Sequence, residues 1–287
     1  GLYFVTFLID SFIWQLSLLP VPLDAAWLYR LWQARLVGEA FNMTMPAGGL
    51  GGEPVKAVLL KKYYGVDYGE GAASLIHAKT VNMIGLVAFL YVGFALMLGP
   101  VPLPAAYRTV AGFGLAGLAG ATAAFFAVQR FGLSSAVAGW ARRWPPLAGI
   151  AGSLGHIRDV EGRFARFYVA HRIRFTSAVL VALANWILGT LEIYFAMSFL
   201  GHPVSLGEAW VIEAVAQLVR AGTFFIPAGI GVQEGAFLLT SAAITGSPEL
   251  GIAFAVVRRV REIIWVALGF AAASLYSMTP AGAALRR

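Results

Sequence analysis

Apolar residues in this chain run on without alternation over lengths that match a lipid bilayer. A helix crossing the hydrocarbon core needs about 20 predominantly apolar residues. Continuous runs at 1–20, 71–98, 107–128, 174–200 and 249–277 meet that length and predict spanning helices. Two further stretches, 25–64 and 205–247, are apolar but interrupted, the first at Pro46 to Gly52 and the second at Pro227 to Gly231. Membrane β-strands would alternate apolar and polar residues over about 10 positions. No such alternation occurs here, so the predicted fold is all-α, a polytopic membrane helical bundle forming a single integral membrane domain over residues 1–287.

Composition agrees. Of 287 residues 59% are apolar and 12% charged, with a mean hydropathy of +0.76. Soluble domains are nearer half apolar and a quarter charged, so the solvent of this chain is lipid. The net charge of +7 does not point to nucleic acid, because excess Lys and Arg in a membrane protein mark its cytoplasmic loops. The segment 129–174 holds eight arginines against Asp159 and Glu161 and is placed on the cytoplasmic side, with Lys61, Lys62, Arg286 and Arg287. The segments 99–106 and 200–206 hold no Lys or Arg and are placed outside. Within 153–171, Leu154, Ile157, Val160, Phe164 and Phe167 fall on one helical face among arginines, as in an amphipathic helix lying on anionic lipid or on the bundle. With this orientation the span 1–20 runs inward, which predicts a further helix before it. The absence of cysteine excludes disulfides and thiolate chemistry.

The two interruptions are alike. Residues 46–53 read PAGGLGGE and residues 227–234 read PAGIGVQE, so Pro46, Ala47, Gly48 and Glu53 match Pro227, Ala228, Gly229 and Glu234 at one offset. Three spans separate the copies, which turns the second upside down. The expected arrangement is two re-entrant helix hairpins in an inverted-topology repeat, the first (25–64) opening to the cytoplasm and the second (205–247) to the exterior. Discontinuous helices in inverted repeats mark transporters, with the substrate near the midplane where the broken ends meet. Backbone groups freed by such a break are tolerated at membrane depth only where protein or a wet cavity satisfies them. Two ordinary interfacial turns are the plainer alternative.

Charges inside the spans are costly and are the candidate site. Arg258, Arg261 and Glu262 share a face near the middle of 249–277, with Arg259 pointing elsewhere. Glu213, Gln217 and Arg220 form an i, i+4, i+7 stripe leading to the second tip. His77, Lys79 and Asn82 lie inside 71–98, Asn185 and Glu192 inside 174–200, and Asp10 inside 1–20. Arg30, Arg35 and Glu39 lead to the first tip. Glu53 and Glu234 stand in the first turn after each tip, where a carboxylate caps free N–H groups. Guanidinium binds phosphate through planar, bidentate hydrogen bonds, so an arginine-rich interior suits an anionic headgroup. The expected substrate-binding set is Arg258, Arg261, Arg220, Glu213, Glu262, Glu53, Glu234, Lys79 and His77, with hairpin tips at Pro46, Gly48, Pro227, Gly229 and Gly231. Structural pairing, such as Arg258 or Arg261 with Glu213 or Glu192, is the competing reading. No metal site, cofactor or catalytic constellation is expected. Gly112 to Gly117 matches GxGxxG, but inside a spanning helix with no strand before it the dinucleotide reading fails. Gly112, Ala116 and Gly120 instead read as small-residue helix packing.

The order of these features resembles the lysylphosphatidylglycerol synthase transmembrane region, a flippase-like family. The resemblance is carried by Phe41 to Pro46, Gly48 to Glu53, Val55, Lys56, Lys61 and Lys62, and by Phe225 to Gly235, which looks like the family's PxGxGxxE element. It implies a protein of the bacterial cytoplasmic (inner) membrane that moves lipids or lipid-linked molecules between leaflets. Some members carry a soluble aminoacyl transferase domain. These residues leave no room for one, so synthase activity is not expected. The expected partners are membrane lipids, with an anionic lipid headgroup as substrate; a homo-oligomer is left open. The alternatives are a secondary transporter of a small anion and an accessory subunit of a lipid-modification pathway.

Overall fold

The computed structural model describes residues 1–45, 51–101, 103–131, 167–226 and 229–278. The described elements are helices: α1 (Leu2–Ser17), α2 (Ala25–Thr44), α3 (Gly52–Tyr64), α4 (Tyr68–Leu98), α5 (Ala105–Phe131), α6 (Arg172–Phe199), α7 (Leu206–Gly222), α8 (Val232–Thr245) and α9 (Pro248–Met278). There is no strand among the described residues. Helices α4, α5 and α6 are long and apolar enough to cross a membrane. Helix α9 is as long as α4, at 31 residues, but charges at 258–262 interrupt its apolar run. The predicted span 1–20 is shorter than expected, a 16-residue helix. Pro20 and Pro22 follow it, and proline cannot continue a helix.

Local chemistry sets the boundaries. Helix α2 starts where the Asp24 carboxylate accepts the Trp27 N–H at 2.8 Å. It ends at Met45, directly before Pro46, where the preceding residue is pushed out of helical geometry. Helix α3 ends at Gly65, whose φ of 70° lets the Val66 N–H reach back to the Leu60 carbonyl. Helix α7 opens on a reciprocal capping box between Ser205 and Glu208.

Two cores result. One packs Trp14, Leu18, Leu31, Val37, Leu60 and Tyr63 where α1, α2 and α3 meet. The other packs Ile193, Met197, Ile212, Phe237 and Phe254 where α6, α7, α8 and α9 meet. The pairings correspond. Helix α1 packs on α2 as α6 packs on α7; α2 packs on α3 as α7 packs on α8; α3 packs on α4 as α8 packs on α9. Across the halves, α2 packs on α9 and α4 on α7, and α1 and α6 meet each other; α4 also packs closely on α6, a pairing that α9 and α1 do not match. Helix α5 lies outside this scheme, against α4 and α7.

One expectation changes. The Gly112–Ala116–Gly120 stripe is not a packing seam, since Ala116 and Gly120 are exposed and a Cβ on Gly120 would meet nothing. Helix α5 buries Ala111, Leu115, Thr122 and Gln129 instead, because those positions face the neighbouring helices. The predicted amphipathic helix falls outside the described residues except at its end, where Phe167 is buried against His77. Most of the basic segment 129–174, the tip residues Pro46, Gly48 and Pro227, and Arg286 and Arg287 also lie outside them.

The tightest helix contact is between α2 and α3, where a Cβ on Gly52 would fall on the Gly38 carbonyl. Gly52→Ala is therefore expected to cost about 1–3 kcal/mol through overpacking. Gly117→Ala, facing open space, is expected to be neutral. Thermal unfolding of both variants in detergent checks this, and equal melting temperatures would show that the α2–α3 contact yields freely.

Candidate functional site

The intramembrane charges gather into two clusters, one on each half. In the second half, α9 supplies Arg258, Arg259 and Arg261, and three other helices supply carboxylates. The Arg258 Nη2 donates to both Glu213 oxygens, at 2.9 and 3.1 Å. Glu192 lies 3.8 Å from the same nitrogen. Gln217, one turn beyond Glu213, donates to it at 2.6 Å. Arg258 also lies over the Phe237 and Phe254 rings. It is 6% exposed and Glu213 1%, so this pair is shielded from any solvent. Its Nε and Nη1 find no partner among the described residues.

Arg259 bridges two carboxylates. It donates to Glu234 through Nε at 3.0 Å and through Nη2, and to Glu262 through Nη1 at 2.8 Å. Glu234 also accepts the Gly231 N–H at 2.8 Å, so it ties the start of α8 to the middle of α9. Gly231, at φ 82°, and Gly229, at φ 61°, hold left-handed backbone that strains other residues. Arg261 pairs with Glu192 and lies 4.0 Å from the centroid of Tyr3.

The first cluster is built on α2, α3 and α4. Lys56, 3% exposed, reaches Glu53 at 3.0 Å and Glu39 at 3.7 Å. Lys79 on α4 reaches the same Glu53 oxygen at 3.2 Å. Asn42 donates to Glu39 at 3.2 Å and to Glu53 at 3.4 Å, while its oxygen accepts the Gly52 N–H at 2.7 Å and so caps α3. Beside it Arg35 pairs with Asp10 at 2.8 Å. Three cations thus face three carboxylates here. In the second cluster three arginines face Glu192, Glu213, Glu234 and Glu262, four carboxylates. The rings of Tyr3, Phe7 and Trp265 lie between the clusters, Arg261 over Tyr3 and Arg35 over Phe7.

Of the expected site residues, Arg258, Arg261, Glu213, Glu262 and Glu234 converge in the second cluster, and Glu53 and Lys79 in the first. Glu262 serves Arg259, however, rather than the arginines on its own face. Arg220 makes no hydrogen bond or ion pair with a described residue. His77 stands apart from both clusters, stacked on Phe167 with ring centroids 4.3 Å apart, beside a separate cavity also lined by Ser17, Glu70 and His171. Lys56, Glu39, Asn42 and Arg259 were not in the expected set. Lys56 stands three residues after Glu53 and Asn42 three after Glu39, a spacing that places each on its neighbour's helical face.

A family model described as "Lysylphosphatidylglycerol synthase TM region" matches residues 1–271. The chain belongs to that family. It is an integral membrane protein of lipid modification or transport. No curated protein and no solved structure matches it.

The Glu213–Arg258 pair has a measurable signature. Glu213→Gln leaves a buried guanidinium without its principal counter-charge and is expected to cost about 3–5 kcal/mol. Adding Arg258→Met removes the orphaned charge and is expected to restore much of that loss. A double-mutant cycle by thermal unfolding checks this. Additive losses would show that the two residues act independently.

Proposed function

We propose that this member of the lysylphosphatidylglycerol synthase transmembrane-region family is a lipid translocase, moving an anionic or lipid-linked headgroup through a polar path between two broken-helix hairpins. It transports its lipid and does not transform it. The reading rests chiefly on Arg258. Its guanidinium is buried between α7, α8 and α9 and held in place by Glu213, yet it keeps two donors, Nε and Nη1, unspent. An unsatisfied donor in such a place costs about 1–3 kcal/mol, and a phosphate oxygen would relieve that cost. Arg220, on the Glu213 and Gln217 face of α7, supplies a second cation without a described partner.

The second cluster holds one more carboxylate than cation. An anionic headgroup therefore enters by exchange: a carboxylate moves off its arginine, or takes a proton, as phosphate arrives. The ion pairs fill the space between α8 and α9, so binding involves relative movement of those helices. The α7–α8 hairpin carries Glu213 and Glu234, and its movement would loosen both pairs together.

Several observations support an inverted repeat of re-entrant hairpins. The helix pairings within each half correspond. Each tip is followed by a short helix whose first turn holds a glutamate, Glu53 or Glu234. Each of these pairs with a cation on the next long helix, Lys79 or Arg259, at nearly equal chain separation. In the orientation set by the arginine-rich 129–174 segment, the first hairpin opens to the cytoplasm and the second to the exterior.

A transporter of small free anions would use the same unspent donors. Vesicles of phosphatidylcholine and phosphatidylglycerol containing the protein distinguish the two. Fluorescent phosphatidylglycerol is expected to cross between leaflets, while inorganic phosphate is not taken up; the reverse result identifies an anion transporter. Losing a charged, bidentate contact costs about 1.5–3 kcal/mol, or roughly 10- to 150-fold. Folded Arg258→Lys and Arg220→Lys proteins are expected to lose lipid movement on that scale, because an ammonium cannot reproduce the planar fork. Wild-type movement by both variants would leave the cluster as scaffold, and no lipid movement by the wild type would end the translocase reading.

A further inference from the structure

One cavity lies away from both charge clusters. It is a lateral groove of about 520 Å³ between α5, α7 and α8, within the roughly 300–1,000 Å³ of small-molecule pockets. Val110, Gly114, Leu118, Leu218, Gly222 and Leu239 form much of its wall. Its polar side-chain groups are already spent. The Tyr107 hydroxyl donates to the Leu239 carbonyl at 3.3 Å, and the Thr240 hydroxyl to the Ala236 carbonyl at 2.7 Å. No side-chain donor on its wall is left for a polar ligand, so the groove favours an apolar one.

The groove's position identifies its occupant. Helix α5, which forms one wall, is long and apolar enough to span the bilayer. The groove follows α5 from Ala106 to Leu118, ending near the helix middle. Val110, Phe113 and Leu239 around it are more than half exposed, so it opens into hydrocarbon. We infer that it is a specific site for one acyl chain of a bilayer phospholipid. The α7–α8 hairpin separates it from the ion pairs: Ala236 and Leu239 face the groove, while Gln233, Glu234 and Phe237 face the arginines. The groove reaches Ala221 and Gly222, the last residues of α7 before the second tip. A chain seated there brings the rest of its lipid to the tip. The assignment rests on membrane placement and holds even if the protein moves no lipid.

The site can be filled without disturbing the helices. Gly222 has ordinary helical backbone, and a Cβ there would meet nothing within 4 Å. The test uses purified full-length chain in vesicles of equal parts phosphatidylcholine and phosphatidylglycerol, doped with phosphatidylglycerol that carries a diazirine midway along one acyl chain. After irradiation, adducts are located by mass spectrometry. Peptides covering 107–118 and 215–222 are expected to carry several-fold more adduct than the exposed Val256, Val260 and Ile263 face of α9. Gly222→Leu and Ala221→Leu are expected to bring that excess down to the α9 level. Gly117→Leu, on the open face of α5, is expected to leave it unchanged. Equal labelling of groove and α9 face in the wild type, or an excess that survives both fillings, would overturn the assignment. Lipid movement measured on the same vesicles reports separately on translocation.

Discussion

A charge at bilayer depth must meet an opposite charge. On insertion scales an unpaired arginine at the middle of a spanning helix costs about 2.5–3.5 kcal/mol. Helix α9 carries three within four residues, so the surrounding helices are arranged to answer them. Glu192 comes from α6, Glu213 from α7 and Glu234 from the start of α8. Each of those helices is thereby held to α9 at a fixed height. The apolar core of this half, from Ile193 to Phe254, packs around these pairs. The first half meets the same constraint more gently, with the flexible ammonium groups of Lys56 and Lys79 sharing one oxygen of Glu53.

The two solutions differ in what they leave available. Lysine satisfies a carboxylate as a compact point charge, whereas arginine presents a fork of donors and rarely spends all of them. Arg258 spends one nitrogen on Glu213 and keeps two. On the translocase reading proposed above, the second half is the better headgroup site and the first half the better hinge. The interchangeable Lys56 and Lys79 contacts would let α3 shift against α4 without orphaning Glu53. In the second half Glu234 both caps the helix after the tip and carries the ion pair to the next helix, so moving that tip and breaking that pair are one event; in the first half the two tasks are divided, Asn42 capping α3 and Glu53 carrying the pair to Lys79.

Much of the fold was legible because lipid-facing helices need no amphipathic pattern. A continuous apolar run suffices, and α4, α5 and α6 lie within a few residues of where length and hydropathy place them. The breaks near Pro46 and Pro227 were legible from proline and glycine alone, since α2 ends at Thr44 and α8 begins at Val232. The ion pairs were legible in part: Arg258 and Arg261 were expected to meet Glu213 or Glu192, as they do, but not which meets which. Arg261 with Glu192, and Arg258 with Glu213, join residues far apart in the chain, and only the packing of α9 against α6 and α7 decides which carboxylate each arginine meets. Arg259 was set aside because it leaves the Arg258 face of α9, yet that direction is where α8 presents Glu234. The Gly112–Ala116–Gly120 stripe misled for a related reason: small residues mark a helix contact only where a helix stands opposite.

The claim on which the rest turns is that the two hairpins open to opposite sides of the membrane. The chain contains no cysteine, so single cysteines can be read without background. Lys62 lies in the last turn of α3, at the open end of the first hairpin, and Glu249 in the first turn of α9, just beyond the second; both are exposed. In sealed, oriented vesicles a membrane-impermeant maleimide is expected to label Lys62→Cys only from the cytoplasmic face and Glu249→Cys only from the opposite face. Labelling of both from one face would contradict the inverted arrangement, and with it the path proposed between the two tips.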